Sequence, residues 1–143
     1  MVTRDILITP LSIINTPGGD VLHAMKNIDL GFKGFGEAYF SEIQFNKIKA
    51  WKRHKNMTLN LIVPIGKVRF VLFDNRENGR EKFTDVVLSR EVYSRLTVPP
   101  MIWMGFQGLT EDSSIVLNIA DIPHNPDEID RKFFDEIKFD WSI

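Results

Sequence analysis

Leu59-Asn60-Leu61-Ile62-Val63-Pro64-Ile65-Gly66-Lys67-Val68-Arg69-Phe70-Val71-Leu72-Phe73-Asp74 is the most strongly patterned stretch of the chain. After Gly66, polar and apolar residues alternate at Lys67, Val68, Arg69 and Phe70, and the run then turns apolar on both faces. A period of two is that of a strand with one buried face, and an unbroken apolar run is that of a strand buried on both. Pro64-Ile65-Gly66 supplies a turn between them, because proline fixes φ and glycine accepts positive φ. The stretch therefore predicts two strands joined by a tight turn.

Working outward, residues 6–14, 37–43, 82–89, 93–98, 103–107 and 114–120 form further strand candidates, each bounded by glycine, proline or a polar cluster. Many short strands at such spacing predict an all-β sandwich or barrel. Helical pattern is confined to residues 127–136, where acidic residues precede basic ones after Pro126, which predicts one short C-terminal helix. Residues 21–26 are too short to assign. Residues 75–80, with Glu77, Asn78 and Gly79, read as a solvated hairpin tip. With 143 residues and no repeat or linker, the whole chain, 1–143, reads as a single domain with one core.

There is no cysteine, which excludes disulfides, thiolate metal sites and a cysteine nucleophile, and gives no sign of secretion. Residues 1–10 lack the apolar core of a signal peptide, and no window approaches the roughly 18 apolar residues of a membrane span. The expected compartment is the cytoplasm. A net charge of −1, from 18 basic and 19 acidic residues, argues against a nucleic-acid or membrane partner, so any anion site has to be local.

The one basic concentration is Lys47, Lys49, Lys52, Arg53, His54 and Lys55, with Trp51 inside it. It reads either as a solvated edge strand or as an anion-binding strand with a histidine in it. Gly31, Gly34 and Gly36 fit neither the dinucleotide fingerprint nor a phosphate loop, and no Gly-x-Ser-x-Gly elbow occurs. His23, His54 and His124 have no metal-ligand spacing, so neither a metal nor another cofactor is expected.

Three segments resemble the dTDP-4-dehydrorhamnose 3,5-epimerase family, cupin-type jelly rolls acting on nucleotide-linked 4-keto sugars. They are Ile48-Lys49-Ala50-Trp51-Lys52-Arg53-His54-Lys55; Leu88-Ser89-Arg90 leading to Thr97-Val98-Pro99-Pro100-Met101-Ile102-Trp103-Met104-Gly105-Phe106; and Asp121-Ile122-Pro123 through Phe139-Asp140-Trp141. The resemblance implies a cupin (jelly-roll) barrel and makes His54 the general base that removes a proton beside the sugar's 4-keto group. An imidazole suits that task, since the ketone delocalises the carbanion as an enolate and a near-neutral base works at cellular pH. Lys49, Lys52, Arg53 and Lys55 become candidates for the diphosphate and the enolate oxygen. Strand alternation puts Lys52 on the face of His54 and turns Lys49, Arg53 and Lys55 away unless a bulge intervenes.

The departures from the family pattern are specific. Its acidic tyrosine falls near Leu117, a histidine falls at Met104, and the basic residue after the histidine strand falls at Leu59 or Asn60. The C-terminal extension with the aspartate that orients the base has no counterpart, and Gly18-Gly19-Asp20-Val21-Leu22-His23 replaces an arginine-containing nucleotide clamp. Tyr39, on the strand before the His54 segment, is then the candidate acid. Trp103, after the double proline, Asn60 and His23 are candidate substrate contacts. The resemblance also implies a homodimer in which an N-terminal strand joins the neighbour's sheet, and a place in surface-polysaccharide sugar synthesis. Two readings stay open: an epimerase or isomerase of a nucleotide-linked 4-keto-6-deoxy sugar, and a catalytically altered cupin that binds a sugar nucleotide or a partner enzyme without epimerising.

Overall fold

The computed structural model describes residues 5–142. Twelve strands form: β1 (Leu7–Pro10), β2 (Ile13–Ile14), β3 (Val21–Leu22), β4 (Glu37–Ile43), β5 (Ile48–His54), β6 (Leu59–Ile65), β7 (Lys67–Asp74), β8 (Lys82–Ser89), β9 (Ser94–Val98), β10 (Trp103–Gly108), β11 (Ser114–Ala120) and β12 (Ile129–Arg131). Ten of them make two five-stranded antiparallel sheets, β1-β9-β6-β11-β4 and β12-β5-β10-β7-β8, and β2 pairs with β3 apart from both. This is the jelly-roll arrangement expected from the sequence.

The turn at Gly66 does more than close a hairpin. β6 pairs with β9 and β11, whereas β7 pairs with β8 and β10, so the chain crosses from one sheet to the other at this glycine. Its φ is +89°, and a Cβ there would lie 2.1 Å from Ser114 Oγ, so glycine is required both for conformation and for space.

Between the sheets lies the main core. Leu59, Leu61, Val63, Leu96 and Val116 face Val68, Phe70, Leu72, Leu88 and Met104, the inward positions of alternating strands. A second apolar layer, Trp51, Val71, Trp103, Ile137 and Trp141, covers the outer face of the second sheet. The C-terminal segment supplies Ile137 and Trp141 and is held by Arg69, which pairs with Asp85 and donates to the Trp141 carbonyl at 3.1 Å. On the outer face of the first sheet, fully buried Arg95 donates to the carbonyls of Ala24 and Leu30 at 2.8 and 3.2 Å, and so pins the residue 24–30 loop.

Two expectations change. The C-terminal helix is replaced by two single 3-10 turns, Pro126–Glu128 and Phe134–Glu136, with β12 between them. The charge order suits a helix, but β5 has an open edge, and pairing Ile129, Asp130 and Arg131 with it satisfies more backbone than an isolated short helix could. The 6–14 strand breaks into β1 and β2. β1 pairs with β9.

Candidate active site

β5 carries the site, and its irregularity decides which side chains enter it. Met104 pairs with Lys52 and Phe106 with Lys49, two steps on β10 against three on β5. The extra residue is a bulge opposite Gly105. Ala50 and Trp51 therefore both turn toward the outer layer, and Lys49 is brought onto the same face as Lys52 and His54.

That face borders a cavity of about 450 Å³. Lys49, Lys52, Met104 and Phe106 line one side, Tyr39, Ser41 and Asn118 the other, and Arg131 of β12 the rim. Lys49 Nζ donates to the Glu42 carbonyl at 2.9 Å, and Lys52 is held below the usual lysine range by burial, then by the neighbouring charge of Arg131.

His54 stands two residues beyond Lys52 on this face, outside the cavity lining and 8% exposed. Its Nδ1 meets Glu128 Oε1, while Glu128 Oε2 accepts the Asn56 and Met57 N–H groups at 3.1 and 3.2 Å. The local sequence explains how Glu128 gets there. Asn125 Oδ1 accepts the Asp127 N–H and Pro126 opens the 3-10 turn, which delivers a 3% exposed carboxylate onto the end of β5. Burial pushes the Glu128 carboxyl up, but the hydrogen bonds from His54, Asn56 and Met57 outweigh it and hold the group below its ordinary value. Burial likewise holds the His54 imidazole below its ordinary value, against the pull of Glu128. The ring is therefore neutral near pH 7, with its Nδ1 proton on Glu128 and a lone pair on Nε2. Nε2 is buried and has no partner among the described residues.

The sequence expectations fare differently. Lys49, Lys52 and Tyr39 do meet around one cavity, Tyr39 opposite the two lysines, and His54 lies on the Lys52 face of β5 without lining the cavity. Arg53 does not: it faces outward, pairs with Asp130 at 2.7 Å and stacks 4.6 Å over the Trp103 ring. Trp103 is thereby part of the outer apolar layer and not of the barrel mouth. Asn60 also faces away, donating to the Gly31 carbonyl at 3.1 Å and accepting from Thr97 at 2.6 Å. His23 borders a separate cavity over the outer face of the first sheet, with Arg95 and Lys26, and its carbonyl accepts from Tyr93 at 2.9 Å. Arg53, Trp103 and Asn60 each sit on the wrong side of their sheet, as alternation dictates once the register is known.

Position 117 is instructive for the same reason. Leu117 pairs with Phe40 and Ile62 on the outer face, and the cavity-facing neighbour is Asn118, whose cross-strand partner is Tyr39. Sequence reasoning missed Glu128 because a carboxylate 74 residues away was expected in a longer C-terminal extension. The signal available was the turn Asn125-Pro126-Asp127-Glu128.

With fold and site in place, comparison with known proteins is decisive. The spore coat polysaccharide biosynthesis protein SpsL of Bacillus subtilis (strain 168) is 30% identical over 114 residues, which cover 76% of each chain. The crystal structure of a dTDP sugar isomerase from Desulfovibrio desulfuricans G20 superposes with a TM-score of 0.92 at 37% identity, covering 96% of this chain and 91% of that one. The chain belongs to the dTDP-4-dehydrorhamnose 3,5-epimerase-like family of nucleotide-sugar isomerases. A more distant dTDP-4-dehydrorhamnose 3,5-epimerase, from Bacillus anthracis str. Ames with TDP and PPi bound, shares the fold at 17% identity and a TM-score of 0.83, covering all of this chain and 89% of its own. No family model matches the chain. Family membership thus rests on whole-chain likeness.

Proposed function

We propose that the protein isomerises a nucleotide-diphosphate-linked 4-keto-6-deoxy sugar by proton abstraction beside the ketone, in the making of surface-polysaccharide sugars. The observation that carries this reading is the His54–Glu128 pair, an imidazole kept neutral with its Nε2 unpartnered on the face that borders a cationic cavity. Likeness to a dTDP sugar isomerase and to a spore coat polysaccharide protein supports the substrate and the setting.

In the proposed mechanism His54 Nε2 takes the proton from the carbon next to C4, and the C–H electron pair moves onto the ketone oxygen as an enolate. Lys52, on the same face, stabilises that oxygen. Tyr39 returns a proton from across the cavity. Its phenol is pushed up by burial, then by Glu37, and so stays protonated at working pH. In this reading the hydroxyl absent from β11 is supplied by the adjacent strand, since Tyr39 and Asn118 are cross-strand partners. Lys49 completes the substrate contacts. A working base held by a carboxylate favours this reading over a cupin that binds without turning over.

We also propose a cytoplasmic homodimer. Ile28, Leu30, Phe35 and Phe40 expose a large apolar surface at the first sheet, more than an isolated chain of this size would comfortably leave to water. The test of function is to incubate the protein with a panel of dTDP-linked 4-keto-6-deoxy sugars and follow the sugar ring by NMR. Inversion beside the ketone, or transfer of the carbonyl to C3, is expected; an unchanged panel refutes the proposal.

A further inference from the structure

The cavity beside His54 has an unbalanced charge. The side chains of Lys49, Lys52 and Arg131 meet there, and among the described residues bordering it there is no carboxylate. This concentration occurs in a chain whose net charge is −1. Lys132 also borders the cavity, but its ammonium lies 5.2 Å over the Trp103 ring on the outer side and does not count toward the balance. Other cations of the molecule are neutralised locally: Arg53 by Asp130, Arg69 by Asp85, Arg76 by Asp5 and Asp74, and Arg90 by Asp20. Arg131 has no ion pair among the described residues, and it is the cross-strand partner of Lys52. Gathering like charges at a half-buried site opposes folding unless a ligand of opposite sign occupies it.

From this we infer that Arg131 is the principal diphosphate-binding residue of the site, clamping the two phosphates at the rim while Lys49 completes the anion cradle and Lys52 stays with the ketone oxygen. The guanidinium fork matches two phosphate oxygens, and a dianion or trianion answers three cations where a single carboxylate would not. The position adds a consequence. β12 holds Arg131 three residues after Glu128, so one short segment carries both the carboxylate beside His54 and the clamp on the diphosphate end of the substrate. The assignment rests on the proposed function only for the nucleotide; the anion site stands on the cavity itself.

Isothermal titration of the full chain with dTDP, inorganic pyrophosphate and thymidine tests it without turnover. The Arg131→Ala variant is expected to bind dTDP and pyrophosphate about 10- to 100-fold more weakly, the loss of one charged hydrogen-bonding group. Arg131→Lys should recover part of the loss, and Arg80→Ala, on the exposed hairpin tip, should bind like the parent. Unchanged dTDP and pyrophosphate affinity in Arg131→Ala overturns the inference, as does an equal loss of thymidine affinity. A parent protein that binds pyrophosphate in an Arg131-dependent way but ignores dTDP upholds the anion site and retires the nucleotide reading. A parent that binds neither dTDP nor pyrophosphate overturns the inference.

Discussion

At the scale of single residues, the proposed chemistry depends on which nitrogen of His54 holds the proton. Glu128 fixes that choice, and an isosteric change shows why. In Glu128→Gln the amide oxygen can still accept the Asn56 and Met57 N–H groups, which leaves the amide NH₂ facing Nδ1. The ring then accepts at Nδ1 and carries its proton on Nε2, the wrong tautomer for a base. We expect kcat to fall about 10²- to 10⁴-fold with little change in KM, and His54→Ala to fall at least as far, both read by steady-state kinetics. Tyr39→Phe should separate two steps, losing net isomerisation while proton exchange beside the ketone persists. The pH profile has a definite sign. Burial holds the imidazole below its ordinary value of 6.5, so the acid limb of kcat/KM should lie below pH 6.5, with the rate rising through it to a plateau. His54 was legible in the sequence as a histidine in a basic run with matching flanks. Glu128 was not, because the pairing of positions 54 and 128 is created by the fold.

Among the elements, the bulge in β5 and the added strand β12 build the site. Alternation along β5 placed Lys52 correctly, but the extra residue opposite Gly105 brings Lys49 inward, and a strand pattern alone does not say where a bulge falls. The same register puts Arg53 and Trp103 outside. The 127–136 segment shows the opposite failing, in which a local charge pattern suited to a helix yields to the open edge of β5. The sheet-crossing turn at Gly66 makes a sharp prediction. Gly66→Ala requires an unfavourable φ and an overlap with Ser114, at a cost of about 2–4 kcal/mol in a urea titration. Trp141→Ala, which opens the outer layer beside Trp51, should cost about 3–5 kcal/mol by the same measurement.

Across the whole molecule, the strand spacing was enough to read a jelly roll, because each inward residue of Leu59–Ile65 and Lys67–Asp74 has its counterpart across one core. Which strands share a sheet was not readable, since a turn between two strands looks alike whether they pair or part. Acid should weaken the fold through the buried pair. Above pH 6.5 the native and unfolded imidazoles are both neutral and the contribution is complete. Below it the unfolded chain takes up a proton that native His54 resists, and Glu128 adds a loss as pH falls below its unfolded value of 4.5. The urea midpoint should therefore decline from pH 7 to pH 4.

The central claim is that His54, held by Glu128, removes a proton beside a sugar ketone. Its most direct test is deuterium incorporation from heavy water into dTDP-linked 4-keto-6-deoxy sugars, followed by NMR. Incorporation next to C4 is expected for the parent protein, reduced at least 10²-fold in His54→Ala and strongly in Glu128→Gln. No incorporation by the parent protein, or equal incorporation by His54→Ala, would contradict it.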